Sequence, residues 1–264
     1  MFVQGAVKHI LTQGDLILIS YLASLQAQGI YALASNYGGL IARTVFQPVE
    51  ETSRNYFGKL LSSTDGPPSK DNVDAARKDL HNLLRLYNLF SVFAISLGPT
   101  IAPILLKYVA GSGWSSSGAG GVLAKYCYYI PLLAVNGVTE AFVSAVAIEP
   151  ELNKQSLWLF AFSAGFGAAG YIFLQVFDMG AEGLVWANVI NMALRIIWSI
   201  SFIDGYLKRN GSSVGILEVM PEPATIAVSL VTTPILAQIK ATFTGGLGDL
   251  IKCVLTAIAF FTLM

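Results

Sequence analysis

The sequence predicts an all-α polytopic membrane protein with about eight transmembrane helices, and three observations predict it. Apolar residues make up 54% of the 264 and charged residues only 12%, where a soluble domain carries roughly a quarter. Mean hydropathy is +0.61. The apolar residues run in long blocks broken by short polar stretches, not in short alternating runs. Sixteen basic residues balance sixteen acidic ones, so nothing points to a nucleic-acid partner. Cys127 and Cys253 sit in different apolar blocks and read as small buried hydrophobes rather than a needed disulfide. Met1 runs directly into apolar sequence without a basic leader or a small-residue cleavage site. No cleavable signal peptide is expected, and the start resembles a position inside a longer protein.

Taken in order, the first span covers about 3–22 and carries Lys8, His9, Thr12 and Asp15, with Lys8, Thr12 and Asp15 on one face. Span two begins near Gly29 and continues as helix to Leu61. At about 1.5 Å per residue such a helix reaches roughly 50 Å, well past a hydrocarbon core of ~30 Å, so it must project into solvent. Pro48 predicts a bend where it leaves the lipid. Asn36, Arg43, Gln47, Glu50 and Arg54 recur at helical spacing and form a polar stripe on this helix. A solvated loop over 62–80, with Pro67-Pro68, leads to span three (about 83–109), where Gly98-Pro99 and Pro103 predict kinks. An uncharged Gly/Ser-rich loop follows. Span four (about 123–148) opens on Tyr126, Tyr128 and Tyr129, suited to the lipid–water interface, and holds Asn136 and Glu140. Span five (about 156–177) is rich in small residues, among them Gly165, Gly167 and Gly170, and is expected to pack inside a bundle. Span six (about 183–206) places Asn188, Asn191 and Arg195 on one face. Spans seven (about 224–239) and eight (about 250–264) are short.

The N-terminal end and the loops after spans two, four and six carry most of the Lys and Arg, which places them in the cytosol by the positive-inside rule. The sequon Asn210-Gly211-Ser212 then falls on the cytosolic side. Asp15, Arg43, Glu140 and Arg195 lie deep in spans, and each alone would cost about 2.5–3.5 kcal/mol, so each must face another, or water. Two readings stand. The charges, with their neighbouring Asn and Gln side chains, line a hydrated cavity; or two cations and two anions form buried ion pairs that fix helix register. Glu50, Glu51 and Arg54 read first as a solvated helix end, with Glu50 and Arg54 an i, i+4 pair. His9 and His81 are too far apart to suggest a metal. No Walker loop, nucleophile elbow, zinc spacing or catalytic carboxylate pair is present, so no enzyme activity, metal or cofactor is expected.

Specific runs then match a known family. Leu11-Thr-x-Gly-Asp15, Gln28-Gly29-Ile30-Tyr31, Asn36-Tyr37-Gly38, Ala42-Arg43 and Pro48-x-Glu50-Glu51 resemble motifs of the Rft family. So do Asn136-Gly137-Val138-Thr139-Glu140 and Ala187-Asn188-x-x-Asn191-Met192-x-x-Arg195-Ile196. The family sits in the MOP (MATE-like) flippase superfamily, whose fold is two six-helix lobes around a cavity. The resemblance implies that residues 1–207 form the second lobe and that 208–264 add a polar loop and two C-terminal spans. The first lobe is absent from this chain and is an expected partner. It further implies a multi-pass protein of the endoplasmic-reticulum membrane that moves dolichyl-diphosphate-linked, mannose-containing oligosaccharide to the lumenal leaflet for N-glycosylation. On that reading Arg43 and Arg195 attract the diphosphate. Glu140 and Asp15 tune them, and Asn36, Gln47, Asn136, Asn188 and Asn191 meet sugar hydroxyls. Pro48, Glu50, Glu51 and Arg54 set the cytosolic exit and are gating candidates. The alternatives are a non-transporting scaffold of the same pathway, with the charges as structural pairs, and a MATE-like exporter of small organic cations.

Overall fold

The computed structural model describes residues 20–21, 23–62, 67–110 and 117–213, with scattered positions between 223 and 262. Among these residues every regular element is a helix. Helix α1 (Leu25–Ile41) starts at Ser24, whose hydroxyl oxygen accepts from the Ala27 amide at 3.2 Å, a side-chain N-cap. It runs without a break through a π-helical turn, Ala42–Phe46, into α2 (Gln47–Leu61). Pro48 explains the turn. It has no N–H to donate, and its ring would collide with the carbonyl four residues back. The wider π turn removes that collision, with the Gln47 amide bonding to the Ala42 carbonyl instead. The disturbance expected at Pro48 is thus taken up just ahead of it.

Helix α3 (Lys70–Ala110) is 41 residues long and keeps Pro99 and Pro103 inside it. It exceeds any bilayer core, so one end must stand in solvent. That end packs on α2: Asn72 Nδ2 donates to the Leu60 carbonyl at 3.0 Å, and the Tyr56 hydroxyl donates to Asp79. The bond to Asp79 holds the exposed Tyr56 hydroxyl above its ordinary tyrosine pKa. Helices α4 (Ala119–Tyr126) and α5 (Ile130–Val146) form one broken span, α6 (Glu149–Tyr171) ends in a second π turn (Ile172–Val176), and α7 (Gly180–Arg209) closes the bundle. At its C-terminus Gly211, at φ +78°, ends the helix. The Ser212 amide bonds to the Leu207 carbonyl and the Gly211 amide to that of Lys208, a Schellman motif.

The chain reverses between successive long helical segments. Tyr56 with Asp79 makes α2 and α3 antiparallel, and Arg209 on Glu151 does the same for α6 and α7. Tyr128 stacked on Trp186, and Arg195 on Glu140, make α4–α5 and α7 parallel. The core lies where α2, α5 and α7 meet, with Phe57, Val138, Phe142 and Leu207 fully buried. Phe142 joins the layers by edge-on contacts to Phe57 and Tyr206, at 5.0 and 5.8 Å between centroids. On the other side α1 presses on α4 so closely that a Cβ at Gly38 would meet the Tyr126 ring at 2.2 Å.

Four helical segments of the described residues are long and apolar enough to cross a membrane: Lys70–Val109, Ala119–Val146, Glu149–Val176 and Gly180–Arg209. They correspond to spans three to six. Helix 25–61 is not among them, and span one, most of spans seven and eight, Asp15, His9 and Cys253 lie outside the described residues. Span five departs from expectation. Its helix, α6, packs along α7 and leaves Leu157, Phe160 and Tyr171 exposed, while Gly165 and Gly170 have nothing within 4 Å of a notional Cβ. Small residues permit close approach, but an apolar lipid-facing surface is satisfied without it.

The sequon is built into the end of α7. Asn210 Nδ2 donates to the Tyr206 carbonyl at 2.9 Å, and the Ser212 hydroxyl donates to Asp74 Oδ1 at 3.0 Å. Together with the cytosolic side expected from the basic loops, this predicts an unmodified Asn210 in the membrane-expressed chain. Glycosidase treatment should leave its mass unchanged, and a shift traced to Asn210 would invert the topology.

Candidate functional site

The polar stripe of helix 25–61 divides into two levels. The upper level is Arg43, inside the π turn. Its Nη2 donates to the Asn36 carbonyl at 2.9 Å, and its guanidinium lies over Gly39, where a Cβ would come within 3.4 Å of Nη1. A long side chain on a helix folds toward the N-terminus in this way. The side chain is exposed, and among the described residues no carboxylate lies within ion-pair distance of it. Among the described residues its hydrogen-bond partner is a carbonyl of its own helix. The Asn36 side chain and Gln47 are exposed beside it, Gln47 Nε2 reaching Glu51 Oε1 at 3.3 Å.

The lower level is a four-charge cluster where α2, α5 and α7 meet. Arg195 donates from Nε and from Nη2 to Glu140 Oε1, at 3.0 and 2.6 Å. The partners come from residues 55 apart in sequence and are only 25% and 20% exposed. Glu50 accepts from Arg54 Nη2 at 3.0 Å. Its other carboxylate oxygen lies so close to α5 that a Cβ at Gly137 would stand 3.0 Å away. Glu50 is within electrostatic reach of Glu140 and Arg195 as well as of Glu51 and Arg54. The sequence reads Glu50 as part of a solvated helix end. The structure turns it inward, because glycine at 137 leaves room for a carboxylate between the helices.

The asparagines are less uniform than their spacing implies. Asn188 is buried and donates from Nδ2 to the Tyr31 hydroxyl at 2.8 Å and to the Leu184 carbonyl at 3.1 Å, tying α7 to α1. Asn191 is buried one turn from Arg195, and Asn136 is buried one turn before Glu140 with its Oδ1 unpartnered. Tyr31, Tyr87 and Gly137 belong to this region, and sequence reasoning assigned them nothing. Tyr31 and Gly137 do stand in the quoted motifs, a signal that gives position but not partner. Among the described residues no three His, Cys, Asp or Glu side chains converge as metal ligands do.

Two cavities lie away from the charges. One, of about 460 Å³, is walled by α1, α3 and α4 through residues such as Leu40, Phe93, Leu97 and Leu123, and among the described residues no charged side chain lines it. The other, of about 380 Å³, lies between α2 and α3 and includes Pro48 and Tyr56.

Apolar membrane-length helices, two of them joined by the largely buried Glu140–Arg195 pair, define a polytopic integral membrane protein. The chain belongs to the Rft family: the family described as "Rft protein" matches it over residues 1–264. It is 38% identical over 240 residues to the Man(5)GlcNAc(2)-PP-dolichol translocation protein RFT1 of Yarrowia lipolytica, covering 88% of this chain and 35% of that protein. The protein of the same name from Saccharomyces cerevisiae is 37% identical over 206 residues, covering 78% and 35%. That from Mus musculus is 36% identical over 214, covering 79% and 39%. The chain thus spans well under half the length of these relatives. No solved structure matches it at a significant level.

The Glu140–Arg195 pair gives a direct test of its structural share. Breaking a fully buried pair costs about 3–5 kcal/mol, and the partial exposure here reduces that to about 2–3 kcal/mol after screening. Glu140→Gln should lower the detergent-solubilised unfolding temperature accordingly. The exchange Glu140→Arg with Arg195→Glu should recover at least half of the loss; no loss in the single variant would show the pair to be idle.

Proposed function

We propose that this chain is the C-terminal part of a protein that moves a dolichyl-diphosphate-linked, mannose-containing oligosaccharide across the endoplasmic-reticulum membrane during N-glycan precursor assembly. The relatives' names support the substrate, and Arg43 is the observation that carries the reading. A guanidinium on a helix that continues from the bundle, answered by no carboxylate among the described residues, keeps its donors and its charge for a ligand. A diphosphate is the anion best matched to its planar fork. Arg195 differs, because Glu140 already takes two of its N–H groups. It serves here as a neutral, structured wall beside the path, and the exposed Asn36 and Gln47 near Arg43 are the amides able to meet sugar hydroxyls. Residues 1–207 act as the second lobe, against a first lobe supplied by the rest of the protein, and rocking of the lobes exposes the headgroup site to each side in turn. The π turn next to Pro48 is a point where helix 25–61 can bend, which suits the gating role of Pro48, Glu50, Glu51 and Arg54.

One feature favours the scaffold reading: Glu140 and Arg195 satisfy each other and need no ligand. A single experiment separates the two. The full-length protein, both lobes present, is reconstituted into vesicles, and headgroup exposure of the lipid-linked oligosaccharide is followed across the bilayer. Arg43→Ala should slow exposure by about tenfold or more, the scale of one lost charged hydrogen bond, with Arg43→Lys recovering only part. Equal exposure in wild type and Arg43→Ala would leave the scaffold.

A further inference from the structure

The larger cavity, between α1, α3 and α4, is built as a groove. Leu97, Leu123, Cys127 and Ile130 are buried and form its floor, while Leu40, Ile41, Leu105 and Val109 are exposed and form its rim. The space is not slack packing, because at two glycines of its lining the same helices touch. A Cβ at Gly98 would stand 2.8 Å from Cys127 Sγ, and one at Gly38 would stand 2.2 Å from the Tyr126 ring. The Cys127 thiol already donates to the Leu123 carbonyl at 3.4 Å, and among the described residues the lining carries no charge. On α3 the lining runs from Phe90 to Val109, about 28 Å along the helix and close to the ~30 Å of a hydrocarbon core. A volume of about 460 Å³ drawn out over that length has the form of an extended hydrocarbon chain rather than of a compact solute.

One end of the groove meets Arg43. Phe46 packs edge-on against Tyr87 and Phe90, at 5.4 Å from each, and helix 25–61 runs antiparallel to α3. Arg43, three residues before Phe46, therefore lies level with the Phe90–Phe93 end. Leu40, on the rim, is the i+4 neighbour of Asn36 and the i−3 neighbour of Arg43, and all three are exposed. The rim and the cation thus adjoin on the helix surface. Charge at one end with hydrocarbon along the rest matches the proportions of an amphiphile. Phe93 is eight residues past Arg85, the last charge before the uncharged stretch 86–106, or about 12 Å along the helix. A bulk phospholipid keeps its head at the surface, so a lipid whose head reaches Arg43 has been drawn inward. We propose that this groove holds the isoprenoid chain of the lipid whose diphosphate Arg43 binds. The choice of an isoprenoid rests on the substrate proposed above. Leu97 is buried together with Leu236, so the chain's own apolar segment, 224–264, is the competing occupant that the test must separate.

The test is independent of lipid movement. The full-length protein in detergent is irradiated with one of three probes, each carrying a diazirine in its hydrocarbon: a polyprenyl alcohol, the matching polyprenyl diphosphate, or a phosphatidylcholine. Labelled residues are mapped by mass spectrometry. Both polyprenyl probes should label α3 within 93–109 and α4 within 123–130, about tenfold or more above the phosphatidylcholine. Ala94→Phe and Ala102→Phe, at partly buried lining positions, should each cut that labelling about tenfold, the contact of some two methylene groups. Leu157→Phe, on the exposed face of α6, should leave it unchanged. Mapping in the wild type carries the test even if a groove variant fails to fold. Equal labelling by phosphatidylcholine, or a groove left unlabelled because residues 224–264 cover it, would overturn the assignment. The two readings fail separately. Groove labelling by the alcohol with no preference for the diphosphate would overturn the Arg43 reading alone, and an unlabelled groove with that preference kept would overturn this one alone.

Discussion

An arginine on an apolar helix needs a counter-charge or water, and Arg195 and Arg43 meet that need in opposite ways. Arg195 binds Glu140 through two of its N–H groups and becomes part of the packing between α5 and α7. Among the described residues Arg43 donates only to the Asn36 carbonyl. The rest of the site depends on that asymmetry. With Arg195 neutralised, the α5–α7 contact can be close and ordered, and the remaining positive charge is concentrated on one residue of one helix. That residue sits in the π turn just ahead of Pro48, so a break in the regular helix and an exposed cation coincide.

Glycine sets how the helices come together around this charge. At Gly38 the missing side chain admits the Tyr126 ring, which fixes α1 against α4. At Gly137 it admits the Glu50 carboxylate, which brings α2 to α5. The second contact turns what would be an interfacial acid into a half-buried one, with Glu140 and Arg195 within its field. The polar stripe is therefore a graded column. A lone cation stands above, a balanced four-charge cluster below, and buried asparagines flank it on α5 and α7.

Much of this was legible in the sequence. Spans three to six follow from apolar block length alone, and their helices fall where the blocks do. The need for partners among Arg43, Glu140 and Arg195 follows from insertion energetics. The choice of partner did not, because Glu140 and Arg195 are brought together only by the parallel packing of α5 and α7. Glu50 was misleading for a related reason. An i, i+4 pair with Arg54 looks the same on a solvated helix end and against a neighbouring helix, and only the opposing Gly137 distinguishes them. Pro48 announces a disturbance, yet whether it gives a kink or a π turn depends on how the surrounding helices hold both ends. The small residues of α6 carried no such information, since lipid can face them as well as protein can.

The claim that Arg43 is kept free for a diphosphate is tested most directly by binding. The full-length protein is purified in detergent and offered a polyprenyl diphosphate or the matching polyprenyl alcohol, and the retained lipid is counted by native mass spectrometry. The account predicts that wild type retains the diphosphate over the alcohol by about tenfold or more, and that Arg43→Ala loses the preference while Glu140→Gln keeps it. Equal retention of the two lipids by wild type, or an unchanged preference in Arg43→Ala, would contradict it.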